Sequence, residues 1–455
     1  MKKTICCTLL LTVSLCGAAI AQQTAAELPT PRIAPQPSAD ESAFGAKIAR
    51  TMTALATSTP TQRNHVRVLF YGQSITAQNW SHAIGKRLKK EYPHADFSFK
   101  NRSIGGFTGE RLMKTAHQDL YPFYPDLVVF HVYSGAQGDL EDIISNIRRK
   151  TTAEILVYTH HVSHEGNAWA QNEYDKQSQL FRDLAVKYDC ELVDVRKEWK
   201  QYLAENHLKI SDLLRDVVHL NAQGCKLMEA LVWRHFRYDK RFENPHASWI
   251  KTVPVQPDAD GSYTVKFTGN RVNVITDTTG NPRGRARILI DGQPPSANPK
   301  AYAITRPSKV YKAWWPALYT LGFQSPPLVE KWTLKLTEIS DDAKQFKFDV
   351  IGSKTGPDGS GNNARKFISN SGRVVIDPQD FGIELDYKQG KKKYPSNFEI
   401  KWAVVPMFQD IYRPTKPRTT VVQGIENGPH TLKIIPGGEG AMPIKAVEIF
   451  QPPIH

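Results

Sequence analysis

Cysteine is scarce, with five residues in a chain of 455. Cys6, Cys7 and Cys16 fall in an N-terminal stretch expected to be removed, which leaves Cys190 and Cys225. Two thiols exclude a disulfide framework and permit at most one bridge; two free thiols is the reading taken. No Cys/His cluster has structural-zinc spacing, so no metal is expected. Long hydrophobic runs are equally rare. The longest, from Ile5 to about Ile20, follows Lys2 and Lys3 and ends at Ala19-Ile20-Ala21, a small-x-small cleavage signal before Gln22. It is short for a membrane span, and Leu15 is a poor residue to precede a lipidated Cys16. Residues 1–21 therefore read as a signal peptide. The mature chain is expected to be exported, periplasmic or extracellular, with no membrane span.

Acidic residues are outnumbered, 45 against 59 Lys plus Arg. The surplus suits either an anionic glycan or envelope, or a generally solubilising surface. No nucleic-acid partner is expected. The densest basic run, Lys388 to Lys393, lies among Gly, Tyr and Pro and reads as a hairpin tip. A chain that is 40% hydrophobic can bury real cores, and its length implies two or three domains. No internal repeat of fixed period is present, and the oligomeric state is not legible.

Residues 22–64 read as a polar linker followed by a helix from about Asp40 to Thr57. From residue 65 to about 244, short apolar runs (VRVLFYG, FSFKNRS, DLVVFHVY, AEILVYT, ELVDV) alternate with helical patterns. That alternation implies an α/β fold, a parallel sheet with helices on both faces. Open sheets of this kind bind ligands beyond the carboxyl ends of their strands. From 245 to 455 the helical patterns disappear. Short strands separated by Gly, Pro and Asp turns imply an antiparallel β-sandwich.

Three blocks lie where such a sheet would place chemistry. Gly72-Gln73-Ser74-Ile75 follows the first strand; a Ser there is exposed, near a helix start that favours an oxyanion. On its own it could be a simple helix cap. Asp216-Val217-Val218-His219 precedes the last helix of the region, which Asn221 can cap. An Asp three residues before a His can hold the imidazole so that its other nitrogen accepts a Ser proton. Asn101 to Gly109, NRSIGGFTG, follows the second strand, and its glycines let a main-chain N–H approach a reacting carbonyl.

Together, in this order, GQSIT, NRSIGGFTG and DVVHLNAQG resemble the SGNH (GDSL-type) hydrolase family over roughly residues 66–238. The resemblance implies a flavodoxin-like three-layer α/β/α domain. It implies Ser74 as nucleophile, His219 as general base and then acid, and Asp216 as its orienting carboxylate. The N–H groups of Ser74 and Gly106 would form part of the oxyanion hole. It also implies an esterase acting on a carbohydrate substrate without cofactor, most simply a polysaccharide acetylesterase. A glycosidase on the same scaffold and a non-catalytic glycan-binding protein remain alternatives. FTGNRVNVI, RARILIDGQ and HTLKIIPGG are similar to jelly-roll modules appended to carbohydrate esterases.

Two departures stand out. Gln73 replaces the usual Asp, whose side chain does no direct chemistry. Gly135 falls where the family places an oxyanion-donating Asn after the third strand. A backbone N–H near Ser134 or Gly135, or the side chain of His131 or Gln137, could substitute. Asn101, His131, Gly135, His160 and His161 are candidate substrate-binding residues, with His164 near them. Trp169 and Trp199, and in the C-terminal region Tyr302, Tyr311, Trp314, Trp315, Tyr319 and Trp332, are either sugar platforms or core.

Overall fold

The computed structural model describes residues 41–133, 135–242, 246–437 and 440–454. The expected signal peptide and linker up to residue 40, with Cys6, Cys7 and Cys16, and also Ser134, lie outside the described residues. Strands β1 (His65–Gly72), β2 (Asp96–Asn101), β3 (Leu127–His131), β4 (Glu154–Tyr158) and β5 (Glu191–Val193) form one parallel sheet, ordered β2-β1-β3-β4-β5. Every residue of β3 and β4 is buried. Continuous apolar runs such as LVVF suit strands covered on both faces. The covering helices are α1 (Ala49–Ala56), α2 (Ser74–Ala77), α3 (Asn79–Glu91), α4 (Gly109–Asp119), α5 (Gln137–Lys150), α6 (Ala168–Lys187), α7 (Val195–Glu205) and α8 (Ala222–Trp233). Apolar residues of α1, α3, α7 and α8 fill one face, those of α4, α5 and α6 the other. The three-layer, flavodoxin-like arrangement implied by the resemblance is therefore present.

The N-terminal helix is shorter than expected and belongs to this body. Met52 and Leu55 of α1 are buried in the core. Glu191 accepts the N–H groups of Gly45 and Lys47, and Glu154 those of Arg50 and Thr51, at 2.8–3.1 Å. Two buried carboxylates thus take up donors that a helix start leaves unsatisfied. Cys190 and Cys225 are unpaired thiols, the first buried and the second half-buried. No helix among the described residues is long and apolar enough to cross a membrane.

The C-terminal region is β-rich, as expected. Its strands are β6 (Ile250–Pro254), β7 (Tyr263–Thr276), β8 (Arg285–Ile290), β9 (Tyr302–Ile304), β10 (Lys331–Ile339), β11 (Phe346–Gly352), β12 (Gly356–Asn362), β13 (Phe367–Ile368), β14 (Val375–Ile376), β15 (Glu399–Pro406), β16 (Ile411–Tyr412), β17 (Arg418–Gly437) and β18 (Ile444–Phe450). They build a six-stranded sheet, β16-β8-β17-β7-β18-β6, a five-stranded sheet, β12-β11-β10-β15-β9, and the pair β13-β14. The six-stranded sheet has an apolar core of its own. The core of the five-stranded sheet is continuous with the α4 and α5 side of the parallel sheet.

Helices do not vanish after residue 244. Ile383–Gly390 forms α9, and the run Lys388 to Lys393 leaves its C-terminal end instead of forming a hairpin tip. Ile383 and Asp386 face inward, and Asp386 accepts the N–H groups of Lys312 and Ala313 and the Tyr394 hydroxyl. Lysines at that end complement the helix dipole.

The two halves are bound through α4. Asp119 is buried and paired with Arg306 at 2.6 Å, and Lys114 with Asp380 at 2.9 Å. Gln118 donates to the Tyr319 carbonyl at 2.7 Å. Polar residues of this helix that would otherwise face water face the C-terminal region.

Candidate active site

Gly72 ends β1 because nothing larger fits. A Cβ there would stand 2.4 Å from both the His131 carbonyl oxygen and Thr76 Oγ1. The chain then turns through Gln73 into α2, and Ser74 stands half-buried beyond the carboxyl edge of the sheet. His219 Nε2 lies 3.0 Å from Ser74 Oγ, and His219 Nδ1 lies 3.1 and 3.0 Å from the two Asp216 oxygens. Asp216 also accepts the N–H groups of Val218 and His219 at 3.0 and 2.8 Å. What little burial it has works against its charge. Those N–H groups and the imidazole outweigh this and hold it at about 2, although its side chain is 44% exposed. Behind this loop, Asn221 caps α8 through the N–H groups of Gln223 and Gly224, both at 2.9 Å.

The glycine block lies against Ser74. A Cβ on Gly105 would stand 3.3 Å from Ser74 Cβ. Gly106 adopts φ +81°, a conformation suited to glycine. Among the described residues, neither the Ser74 nor the Gly106 N–H has a protein acceptor. Two free donors thus flank one hydroxyl.

Asn101 fastens this block. Its amide donates to the Thr76 carbonyl at 2.8 Å and Ser81 Oγ at 3.0 Å, and accepts the Ser103 N–H at 2.9 Å. It positions the loop, and its bonding groups are already engaged. Gln73 does the same on the other side. Its amide donates to the Phe107 carbonyl and accepts the Tyr133 N–H at 2.8 Å. An Asp carboxylate could accept but not donate, so the amide joins two loops that an ionised Asp could not.

The histidines expected at the substrate are elsewhere. His131, His160 and His161 have no exposed surface. They stack among Tyr133, Tyr158, Tyr174 and Phe181, and burial pushes His160 and His161 down to about 3. Buried in this way, the three rings support the site instead of facing substrate. His161 Nε2 is hydrogen-bonded to the Val218 carbonyl at 2.8 Å, and Tyr133 meets its other nitrogen. The His219 loop is thereby buttressed from behind. Among the described residues, no group of three or more His, Cys, Asp or Glu could hold a metal ion.

Gly135 has a packing reason. A Cβ on it would stand 3.0 Å from Gly109 Cα, so α4 starts where a side chain would lie. The expected role for it in substrate contact is therefore restricted to its backbone.

No protein-family model matches the chain, and no curated protein matches it. Among solved structures it is similar to an acetyl xylan esterase at 22% identity over 37% of this chain and 98% of that one, with a TM-score of 0.33. An acetylxylan esterase from Geobacillus stearothermophilus shares 17% identity over 38% of this chain and 95% of its own, TM-score 0.35. A protein from Parabacteroides merdae described as a GDSL-like lipase shares 15% over 38% and 95%, TM-score 0.34. Such likenesses decide nothing about activity, which must be argued from the site.

One wall of that site comes from the C-terminal region. Trp315 is buried, donates from Nε1 to the Gly105 carbonyl at 2.8 Å, and packs on Gly106. Trp314 is 68% exposed. Its Cζ2 lies 3.5 Å from the point where a Gly105 Cβ would be, the same point that Ser74 Cβ approaches to 3.3 Å. An open indole therefore stands beside Ser74. Trp199 and Trp332 are core, Tyr319 is buried, and Trp169 and Tyr311 are exposed.

Proposed function

We propose that this chain is an exported serine esterase of the SGNH type that removes acyl groups, acetyl in the simplest case, from a polysaccharide or oligosaccharide. The observation that carries the reading is the unbroken hydrogen-bond line from Ser74 Oγ through His219 to Asp216, at 3.0 and 3.0 Å.

Ser74 Oγ attacks the acyl carbon while His219 Nε2 takes its proton. Asp216 keeps the imidazole in the tautomer that can accept and stabilises the imidazolium. The carbonyl oxygen becomes an oxyanion that meets the N–H groups of Ser74 and Gly106. Collapse breaks the ester bond, and His219 hands its proton to the departing sugar oxygen. Water, deprotonated by His219, then attacks the acyl-Ser74 ester; the acid leaves, and His219 returns the proton to Ser74 Oγ. The Trp314 face offers the leaving sugar a ring to rest on.

Acetate release from acetylated glycans and aryl acetates, compared between wild type and Ser74→Ala, tests this. Turnover by wild type and none by the variant is expected, with unchanged folding. No turnover on any ester would overturn the reading. Equal action of both proteins on unacetylated oligosaccharide would favour a glycosidase.

A further inference from the structure

At the opposite, amino end of the parallel sheet lies a cleft of about 170 Å³ between the hydrolase body and the six-stranded sheet. Arg50 of α1 and Arg67 of β1 line one side. Arg271 of β7, Arg418 of β17 and Glu448 of β18 line the other, and Asp126 lies just before β3.

The charges do not balance by pairing. Glu448 is taken by Arg418 at 3.2 Å and by the Asn273 amide at 2.7 Å. Asp126 accepts the backbone N–H of Arg67 at 2.7 Å. Among the described residues, Arg50, Arg67 and Arg271 form no ion pair. Each of the three also keeps one guanidinium nitrogen, Nη1, Nε and Nη1 respectively, that is shielded from solvent and has no hydrogen-bond partner.

Arg271 is 5% exposed. It rests over the Phe450 and Tyr124 rings, at 4.4 and 4.8 Å, and makes only long bonds to Asn273 and Thr420, at 3.4 and 3.2 Å. Aromatic faces compensate a guanidinium only weakly. Burial, and then repulsion from Arg67, pull its value down to about 9. Tyr124, Asp126 and Glu448 oppose this shift without reversing it, and a buried cation whose counter-charge is incomplete is unfavourable unless something supplies the rest.

We propose that this cleft binds a small tetrahedral oxyanion, phosphate or sulfate, that bridges the hydrolase body and the six-stranded sheet. Guanidinium forks match such oxygens in geometry and charge. Four arginines against two carboxylates leave room for a dianion. The site lies at the other end of the sheet from Ser74 and is independent of the esterase reading.

Isothermal calorimetry and thermal unfolding with sodium phosphate and with sodium sulfate, against sodium chloride at matched ionic strength, test it without any turnover. Wild type should show one saturable site and a rising Tm in at least one oxyanion. Phosphate without sulfate, or the reverse, identifies which of the two is preferred. Arg271→Met and Arg50→Gln should each weaken binding at least tenfold. If Arg271→Met does not fold, Arg50→Gln carries the comparison. No heat from either oxyanion, with a Tm equal to that in chloride, overturns the proposal. So does wild-type affinity in a folded variant, since the ion would then sit elsewhere.

Discussion

Acidifying the protein from about pH 8 to about pH 5 should weaken it through His131, His160 and His161. Burial holds His160 and His161 at about 3 and His131 well below 6.5, so all three rings stay neutral in the native state. In the unfolded chain each titrates near 6.5. Below that value the unfolded state takes up protons that the native state refuses. The stability associated with these rings is therefore full above about 6.5 and is lost as pH falls toward 3. At about pH 5 the solution lies roughly 1.5 units below the unfolded value, or about 2 kcal/mol for each of His160 and His161. His160 and His161 together give about 4 kcal/mol, and His131 acts in the same direction, against the roughly 5–15 kcal/mol of a typical fold.

The comparison that isolates this effect is wild type against His160→Phe, by urea unfolding at several pH values. Phenylalanine suits the cage of Tyr133, Tyr174 and Phe181 around that ring. Groups common to both chains cancel, including the buried His235–Glu191 and His246–Glu154 pairs. The variant should lose about 2 kcal/mol less than wild type between the two pH limits. Parallel profiles would refute the reasoning, because they would mean that His160 is protonated in the native state or exposed to water.

Gln73→Ala should lower kcat by about 10- to 100-fold with KM little changed, because the Phe107 and Tyr133 loops lose their common tie beside Ser74. Full retention of kcat on an aryl acetate would remove its positioning role. Trp314→Ala should raise KM for an acetylated oligosaccharide about tenfold and leave a small aryl acetate unaffected. Equal effects on both substrates would mean that the indole shapes the loop instead of touching sugar. Arg306→Ala leaves Asp119 buried without its cation and should destabilise the fold by about 3–5 kcal/mol. Adding Asp119→Asn should recover part of that loss, and an unchanged unfolding midpoint in the single variant would refute it.

Local pattern carried the parallel sheet and the candidate triad. Buried strands such as EILVY announce themselves by continuous apolarity, and Ser74, Asp216 and His219 sit in short segments whose spacing is local. What lay beyond reach was three-dimensional. An Asn101 or Gln73 amide reads the same whether it faces substrate or two backbone groups. Clustered histidines after a strand end read as a ligand site, yet their neighbours in space are tyrosines and Phe181 from separate elements. Gly135 reads as a lost oxyanion donor until Gly109 is found against it. The short helix α9 was hidden in a lysine-rich stretch, and only the inward face of Ile383 and Asp386 explains it.

The deepest of these nonlocal facts concerns the independence of the α/β body. The hydrogen-bonded Ser74, His219 and Asp216 all lie within residues 74–219, so a fragment ending near residue 242 would keep every proposed catalytic side chain. That fragment should nevertheless be inactive or unstable. Trp315, which fixes the Gly105 carbonyl beside Ser74, would be absent. Asp119 and Gln118 would lose Arg306 and Tyr319, and the apolar side of α4 would lose the core it shares with the five-stranded sheet. Newly exposed apolar area destabilises at roughly 25 cal/mol per Å². The fragment should therefore bind a hydrophobic dye, unfold at lower urea and turn over aryl acetates far more slowly than the full chain. A fragment with the full chain's kcat and midpoint would show that the C-terminal region only lies beside the site. Failure on all three measures, with Ser74, His219 and Asp216 present, makes that region part of the active site's construction.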